Sequence, residues 1–504
     1  MLRFLVFDND GNPATDFQPT NAHLIGPDDL ATAGTVRFED GQVVCEKRGS
    51  QAVGVCLLCD AGEMGRLMLQ TCLLPDRPEP YVLSIELARH RIKTFIAKSE
   101  EWQMFELSAE HPAMARWDKA RQLLTKALIT TDRAEADRCA KQSLVLAIDA
   151  SERLAMAHAQ ILLHRRYGQR AASSATLGVR ISPARHAPGL RQLAERDFDV
   201  ISIPLNWRWL EVEEGRYDWE PVDRWMQWAK QTGKPIVAGP LLDFSRQSVP
   251  DWLYVWQHDY DTCRDFAYDH IERVVQRYGP VVNMWNIAAG MNVNDNFQFT
   301  APQMMDLVRM ASVHVRQSAR GGRTMIELVQ PFGEFAAGKR EALAPMVFLD
   351  RVVQEGIRVD AVGVQVLFGR ADEGKATRDL MQVSALLDRF HLLELPVIVS
   401  AMGVPSEQNG EDAGWWHDRW NAERQAKWIG QVFGLAMSKP YVESLIWGEL
   451  YDHEHAVVPN VGVIDEQGRT KPALQRLVSA RKRLRKPLGP LRLPNREDNI
   501  PAGS

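Results

Sequence analysis

From residue 170 onward, short apolar runs alternate with amphipathic stretches of helical length. The runs are ATLGVRI, VISIPL, PIVAGPLL, VVNMWNIA, TMIELVQ, AVGVQVL, PVIVSAM and SLIWGEL. Unbroken apolar runs bounded by turn residues are the mark of strands buried on both faces. Eight of them in order, with helix-length spacers between most, predict a (β/α)8 TIM barrel over residues 170–484. The first 110 residues keep a different rhythm: LRFLVFD, AGTVRFED, QVVCEKR, AVGVCLLCD, RLMLQTCLL, PYVLSIELA, KTFIAKS and WQMFELS, broken by turn signals. Short strands at that spacing predict an all-β, sandwich-like domain over residues 1–110. Residues 111–167 space their apolar positions as helices do, with Asp132 placed to cap the second of two segments. They read as a helical hairpin acting as a spacer. Residues 485–504 are rich in Pro and polar residues and are expected to form a loose tail. The expected class is therefore α/β.

Composition narrows the partners. Of 504 residues, 45% are hydrophobic and 25% charged, ordinary for a globular chain, and a net charge of −5 suggests neither a nucleic-acid nor a membrane partner. No apolar run approaches the ~18 residues of a membrane span. The start, MLRFLVFDNDGNP, has one basic residue and too short an apolar stretch for a signal peptide, so a cytoplasmic location is expected. Cys56 and Cys59 form a C-x-x-C inside an apolar strand without a second pair at zinc spacing, which reads as buried structural thiols. No cofactor and no metal are expected, and the oligomeric state stays open.

Candidate chemistry sits at the ends of the later strands. The fourth ends in Trp285-Asn286-Ile287-Ala288-Ala289-Gly290, the sixth contains Gly363-Val364-Gln365-Val366-Leu367, and the seventh ends in Val399-Ser400-Ala401-Met402-Gly403. FDVISIPLNWRWLEVEEGRYDW surrounds the second strand, GPLLDFS the third, and IWGELYD followed by GVIDEQGRTKPALQRL closes the series. Taken together, these stretches resemble family 10 glycoside hydrolases, the xylanase family. That family writes W-D-V-V-N-E, G-L-Q-x-H and I-T-E-L-D at strands four, six and seven. It has F-N-x-x-T-x-E-N-x-M-K-W and G-H-x-L-x-W-H earlier, then W-G and K-P-A at the end. The resemblance spans the third section almost end to end. It implies the frame of an endo-1,4-β-xylanase, with its cleft at the C-terminal ends of the strands.

The resemblance also implies two catalytic glutamates, and their positions hold Gly290 and Ala401. A retaining glycosidase needs two carboxyl groups roughly 5 Å apart, one as acid and one as nucleophile. No carboxylate lies between Glu394 and Glu407, and the nearest after Trp285 is Asp295, which corresponds to an Asn-Asp pair beyond the acid/base. Pro204-Leu205-Asn206 replaces a sugar-binding Glu-Asn pair, Arg208 replaces a lysine, and Pro240 and Leu367 replace histidines. Asn206, Arg208, Trp209, Asn286, Gln365 and Trp447 remain as candidate saccharide contacts. The two tryptophans can stack on a sugar ring or simply fill the barrel mouth.

Three functions stay open. The first is a non-hydrolytic protein, a pseudoenzyme, binding poly- or oligosaccharide, its N-terminal domain resembling a carbohydrate-binding module by position and composition. The second is a glycosidase whose carboxylates have moved, with Glu449, Glu327, Asp243 and Asp452 as substitutes. The third is an interaction scaffold. His453 and His455 invite a metal, but no third ligand can be named and a solvated loop is the plainer reading. In the series Trp415, Trp416, Trp420 and Trp428, the helical face begun by Trp416 and Trp420 reads as packing on the barrel, while Trp415 and Trp416, early in the loop, either wall the cleft or meet a partner.

Overall fold

The computed structural model describes residues 1–104, 107–169, 176–319, 321–489 and 491. Eight parallel strands close into a barrel: Leu177–Arg180, Val200–Pro204, Ile236–Gly239, Met284–Ala289, Arg323–Leu328, Ala361–Leu367, Val397–Gly403 and Val442–Trp447. The eighth pairs back onto the first through Ile446 beside Gly178. Each of the eight strands coincides with one of the apolar runs anticipated from the sequence, reaching at most two residues beyond it.

Alternation along the strands layers the interior. Val200, Val237, Met284, Met325, Ala361, Ile398 and Ile446, one from each of seven strands, form an apolar cluster inside the barrel. Gly178 serves for the first strand, where a Cβ would come within 3.0 Å of Ile446 and 3.1 Å of Val200. Two residues further along, the period of two returns to the same side. The side chains there are Arg180, Ser202, Asn286, Glu327 and Ser400, which together border a small void above the apolar layer. The sequence thus switches from a greasy floor to a polar one just below the barrel mouth.

The N-terminal region departs from a plain sandwich. One four-stranded sheet runs in the order Gly34–Glu39, Gln42–Lys47, Leu2–Leu5, Tyr81–Val82. The expected strands PYVLSIELA and KTFIAKS are instead largely one helix, Leu83–Glu101. Its buried positions Leu83, Leu87, Ala88, Arg91, Ile92 and Phe95 follow helical spacing, and this wider period was masked by short β-branched runs. The expected strand WQMFELS falls partly outside the described residues, and Trp102–Met104 form no strand. The expected hairpin is present as Pro112–Ile129 and Arg133–Tyr167, the second capped by Asp132, whose side chain accepts from Ala134 N at 3.0 Å. Its residues Ala120, Leu124, Leu144, Ala147 and Ile148 share one core with both N-terminal sheets. Most of the loose tail expected at 485–504 lies outside the described residues.

The second sheet joins the two halves of the chain. Its order is Trp415–Trp416, Gly65–Gln70, Gly54–Asp60, His23–Ile25, Ala31–Thr32, so its edge strand comes from the loop after the seventh barrel strand. Trp415 pairs with Arg66 and Trp416 with Gly65, both antiparallel. The face of this sheet bearing Ile25, Cys56, Leu58 and Met68 packs on Ala376 of the barrel. Cys59 points the other way, into the N-terminal core. Cys56 and Cys59 are therefore buried on opposite faces, and burial pushes both thiols up to about 12. Behind the sheet, the Glu152 carboxylate accepts from Leu380 N at 3.1 Å and from Trp416 Nε1 and His417 Nε2 at 2.7 Å each. Arg91 and Asp379 form a buried ion pair across the same junction.

Candidate functional site

A cavity of about 650 Å³ opens at the C-terminal ends of the barrel strands. Its floor is the upper part of the polar layer and its walls are loops. Arg180 and Glu327 come from strands one and five, Gln365 from strand six, and Asp243 from the loop after strand three. Asn206 and Trp209 follow strand two, His455 follows strand eight, and Lys375 enters from the loop after strand six.

The floor sets charged groups among neutral hydrogen-bonding partners. Asn286 Nδ2 donates to Glu327 Oε2 at 2.8 Å. Lys375 Nζ donates to Val329 O at 2.9 Å and, less closely, to Gln365 Oε1 at 3.4 Å. Loss of water pulls the Lys375 ammonium down to about 8, with Arg370 and Arg180 adding to the fall and Glu327 opposing it. Asp243 accepts from Ser245 N at 2.9 Å and Ser248 Oγ at 2.7 Å. Desolvation nevertheless pushes its carboxyl above the usual range, and the Glu327 charge adds to the rise. Arg180 Nε stands 3.6 Å from Glu449 Oε1, and His453 Nε2 stands 3.2 Å from the other oxygen of the same carboxylate.

Of the candidate saccharide contacts, Asn206, Arg208, Trp209 and Gln365 line the cavity. Asn206 Oδ1 accepts from Trp209 N at 3.3 Å, while its amide donates to Ser248 Oγ at 3.3 Å. Arg208 leans outward to Asp251 at 2.8 Å. Trp209 is 40% exposed, and its ring lies 5.5 Å from that of His455. Asn286 lies below the cavity, spent on Glu327. Trp447 is fully buried, its Nε1 donating to Val461 O at 3.0 Å, because the loop after strand eight folds over it. It cannot offer a face to a sugar in this arrangement.

The substitute carboxylates divide. Asp243 and Glu327 share the cavity. Glu449 is buried beside Arg180 and His453, outside the cavity lining. Asp452 is a structural brace, accepting from Gly462 N at 2.7 Å and paired with Lys471. Gly290 lines the cavity with φ +63°, whereas Ala401 is 1% exposed beneath it, beside Gln365 in the sheet. His453 and His455 separate, one toward Glu449 and one toward Trp209. Among the described residues, no group of three His, Cys, Asp or Glu could hold a metal ion. Trp416, Trp420 and Trp428 are buried packing, and Trp415 belongs to the joining sheet; none walls the cleft.

Two residues of the floor escape a reading of the sequence. Arg180 has a signal, since it ends an apolar strand two positions past an inward glycine. Lys375 sits in an irregular loop whose path no local pattern encodes.

No helix among the described residues is long and apolar enough to cross a membrane. Endo-1,4-beta-xylanase B of Humicola insolens is 26% identical over 160 residues, which make up 32% of this chain and 42% of that enzyme. The chain thus spans less than half the length of that relative. Among solved structures, xylanase 10B of Thermotoga petrophila in complex with xylobiose is 15% identical, with a TM-score of 0.46 over 64% of this chain and 96% of that one. Xylanase B of Clostridium stercorarium is 17% identical, with a TM-score of 0.47 over 63% and 98%. The profile of glycosyl hydrolase family 10 matches residues 168–480, well over half of the chain. With its closed eight-stranded barrel and that match, the chain belongs to glycosyl hydrolase family 10.

Proposed function

We propose that this family 10 barrel is a saccharide-binding cleft without the family's hydrolytic pair. The observation that carries the reading is at positions 290 and 401. The first contributes only backbone to the cavity, and the second is a buried methyl group outside the lining, paired with Gln365 in the sheet. Neither can protonate a leaving oxygen or attack an anomeric carbon. What remains suits binding: an exposed Trp209 face near His455, with Asn206 and Gln365 as hydrogen-bonding groups around a cavity of oligosaccharide size. The xylanase relatives make a xylo-oligosaccharide the first ligand to try. Calorimetric titration of the full chain with xylotetraose should give saturable binding, weakened about tenfold by Trp209→Ala. Absence of heat and of any Trp209-dependent fluorescence change would leave a scaffold as the better reading.

A second reading has one observation in its favour. Asp243 and Glu327 share the cavity, and desolvation holds Asp243 above the usual carboxylate range. A raised carboxyl that shares a cavity with a second one is the raw material of acid/base catalysis. Ser245 and Ser248 already occupy both oxygens of Asp243, and Asn286 occupies one of Glu327, which favours a structural role for the pair.

A further inference from the structure

The floor of the cleft carries two cations where a neutral sugar needs none. Lys375 is only 8% exposed, its ammonium facing the same cavity as the Arg180 guanidinium. Buried cations are costly unless acceptors surround them. Lys375 has one good acceptor, Val329 O, and one long one, Gln365 Oε1, for three protons. Arg180 Nε is buried without a hydrogen bond, the Glu449 oxygen being 3.6 Å away. Of the nearby anions, Glu449 faces Arg180 without a hydrogen bond to its Nε, Glu327 has one oxygen on the Asn286 amide, and Asp243 has both oxygens on serines. Just below, the sheet neighbour of Gln365 is Ala401, where the family resemblance leads one to expect a glutamate. The floor therefore carries two cations beside a position that holds a methyl group.

We propose that the cleft recognises an acidic saccharide, whose own carboxylate seats against Lys375 and Arg180. This rests on the saccharide-binding reading and names its ligand class: a sugar bearing a carboxylate, either as a hexuronate residue or as an aldonate at an oxidised reducing end. Guanidinium and ammonium donors are well suited to such a group, and charge-assisted hydrogen bonds are about twice as strong as neutral ones. The neutral wall of Trp209 and Asn206 would then hold adjoining sugar rings while the floor reads charge. Protonation of Lys375 is needed, and Glu327, Arg180, Arg370 and Asp372 are the charged groups that set it.

The test uses matched ligands and the full-length chain. Xylotetraose, the same tetrasaccharide oxidised to its aldonate, a tetrasaccharide carrying one hexuronate, and its carboxyl-reduced counterpart are titrated calorimetrically at pH 6.5. Binding of either acid at least tenfold tighter than its neutral partner supports the proposal, and the acid preferred identifies the source of the carboxylate. Lys375→Met should abolish that preference, and Lys375→Arg should retain part of it. Equal affinity for acid and neutral partners overturns the proposal but leaves saccharide binding intact. Failure of all four ligands to bind overturns both. A preference that survives in a folded Lys375→Met protein also overturns it.

Discussion

Glu327, on the fifth barrel strand, lies close enough to Asp243, beyond the third, to add to the rise of its carboxyl pKa. The sign of the consequence follows. A carboxyl raised in the fold holds its proton more tightly than in the unfolded chain, so stability falls as pH climbs from the ordinary 3.8 through the raised value. At neutral pH the ionised Asp243 is a net burden. Asp243→Asn keeps an acceptor for Ser245 N and can donate to Ser248 Oγ. It is expected to stabilise the protein at pH 7 by roughly 0.5–2 kcal/mol, with the gain disappearing below about pH 4. Urea unfolding at the two pH values measures this.

Restoring glutamates should not restore an enzyme. Gly290 has φ +63°, and a Cβ there would stand 3.1 Å from Val329 Cγ2. A non-glycine residue in that left-handed conformation costs about 1–2 kcal/mol before crowding is counted. The double variant Gly290→Glu, Ala401→Glu is expected to unfold at lower temperature than the parent and to release no sugar from xylan. Calorimetric melting and product chromatography check both parts.

Much of this was legible in the chain. Unbroken apolar runs placed all eight barrel strands, because strands buried on both faces leave a signal that depends on no partner. Asp132 announced its helix for the same local reason. In the helix Leu83–Glu101 the short β-branched runs hide the helical period, and its buried face includes Arg91, whose partner Asp379 lies 288 positions away. For Trp447, stacking on a sugar and filling the barrel mouth read alike in the sequence, and the loop through Val461 that covers it is encoded elsewhere in the chain. Lys375 was invisible for a related reason. Its importance arises from a loop path fixed by contacts with Val329 and Gln365, not from its neighbours in sequence.

Glu152 is expected to hold the N-terminal sheet and the barrel together. Its carboxylate serves three donors from two segments of the barrel half, Leu380 N, Trp416 Nε1 and His417 Nε2. Glu152→Ala leaves all three without that acceptor in a buried setting and should cost about 3–5 kcal/mol. Denaturant unfolding of the variant reads the loss. A change below ~1 kcal/mol would mean that the pairing of Trp415 and Trp416 with Gly65–Gln70 holds the junction by itself.

Acid should weaken the fold well above pH 4. His270 is fully buried, stacked 4.5 Å from Trp207, and pulled down to about 3; His158, stacked 4.6 Å from Trp102, is pulled down to about 4. Both are neutral in the fold, while the unfolded chain takes up their protons near 6.5. Stability is therefore complete above about 6.5 and is lost as pH falls toward 4. Each histidine is worth on the order of 2 kcal/mol at pH 5. Unfolding midpoints between pH 7 and 4.5 should fall steadily, and less so in His158→Gln.

The most direct test of the proposal that the barrel does not hydrolyse saccharides is product chromatography after long incubation of the full chain with xylan and with xylohexaose, run beside Asp243→Asn and Glu327→Gln. All three proteins are predicted to leave both substrates intact. Shorter oligosaccharides released by the parent chain, and reduced a hundredfold or more by either substitution, would place a working acid/base pair in the cleft and contradict the proposed function.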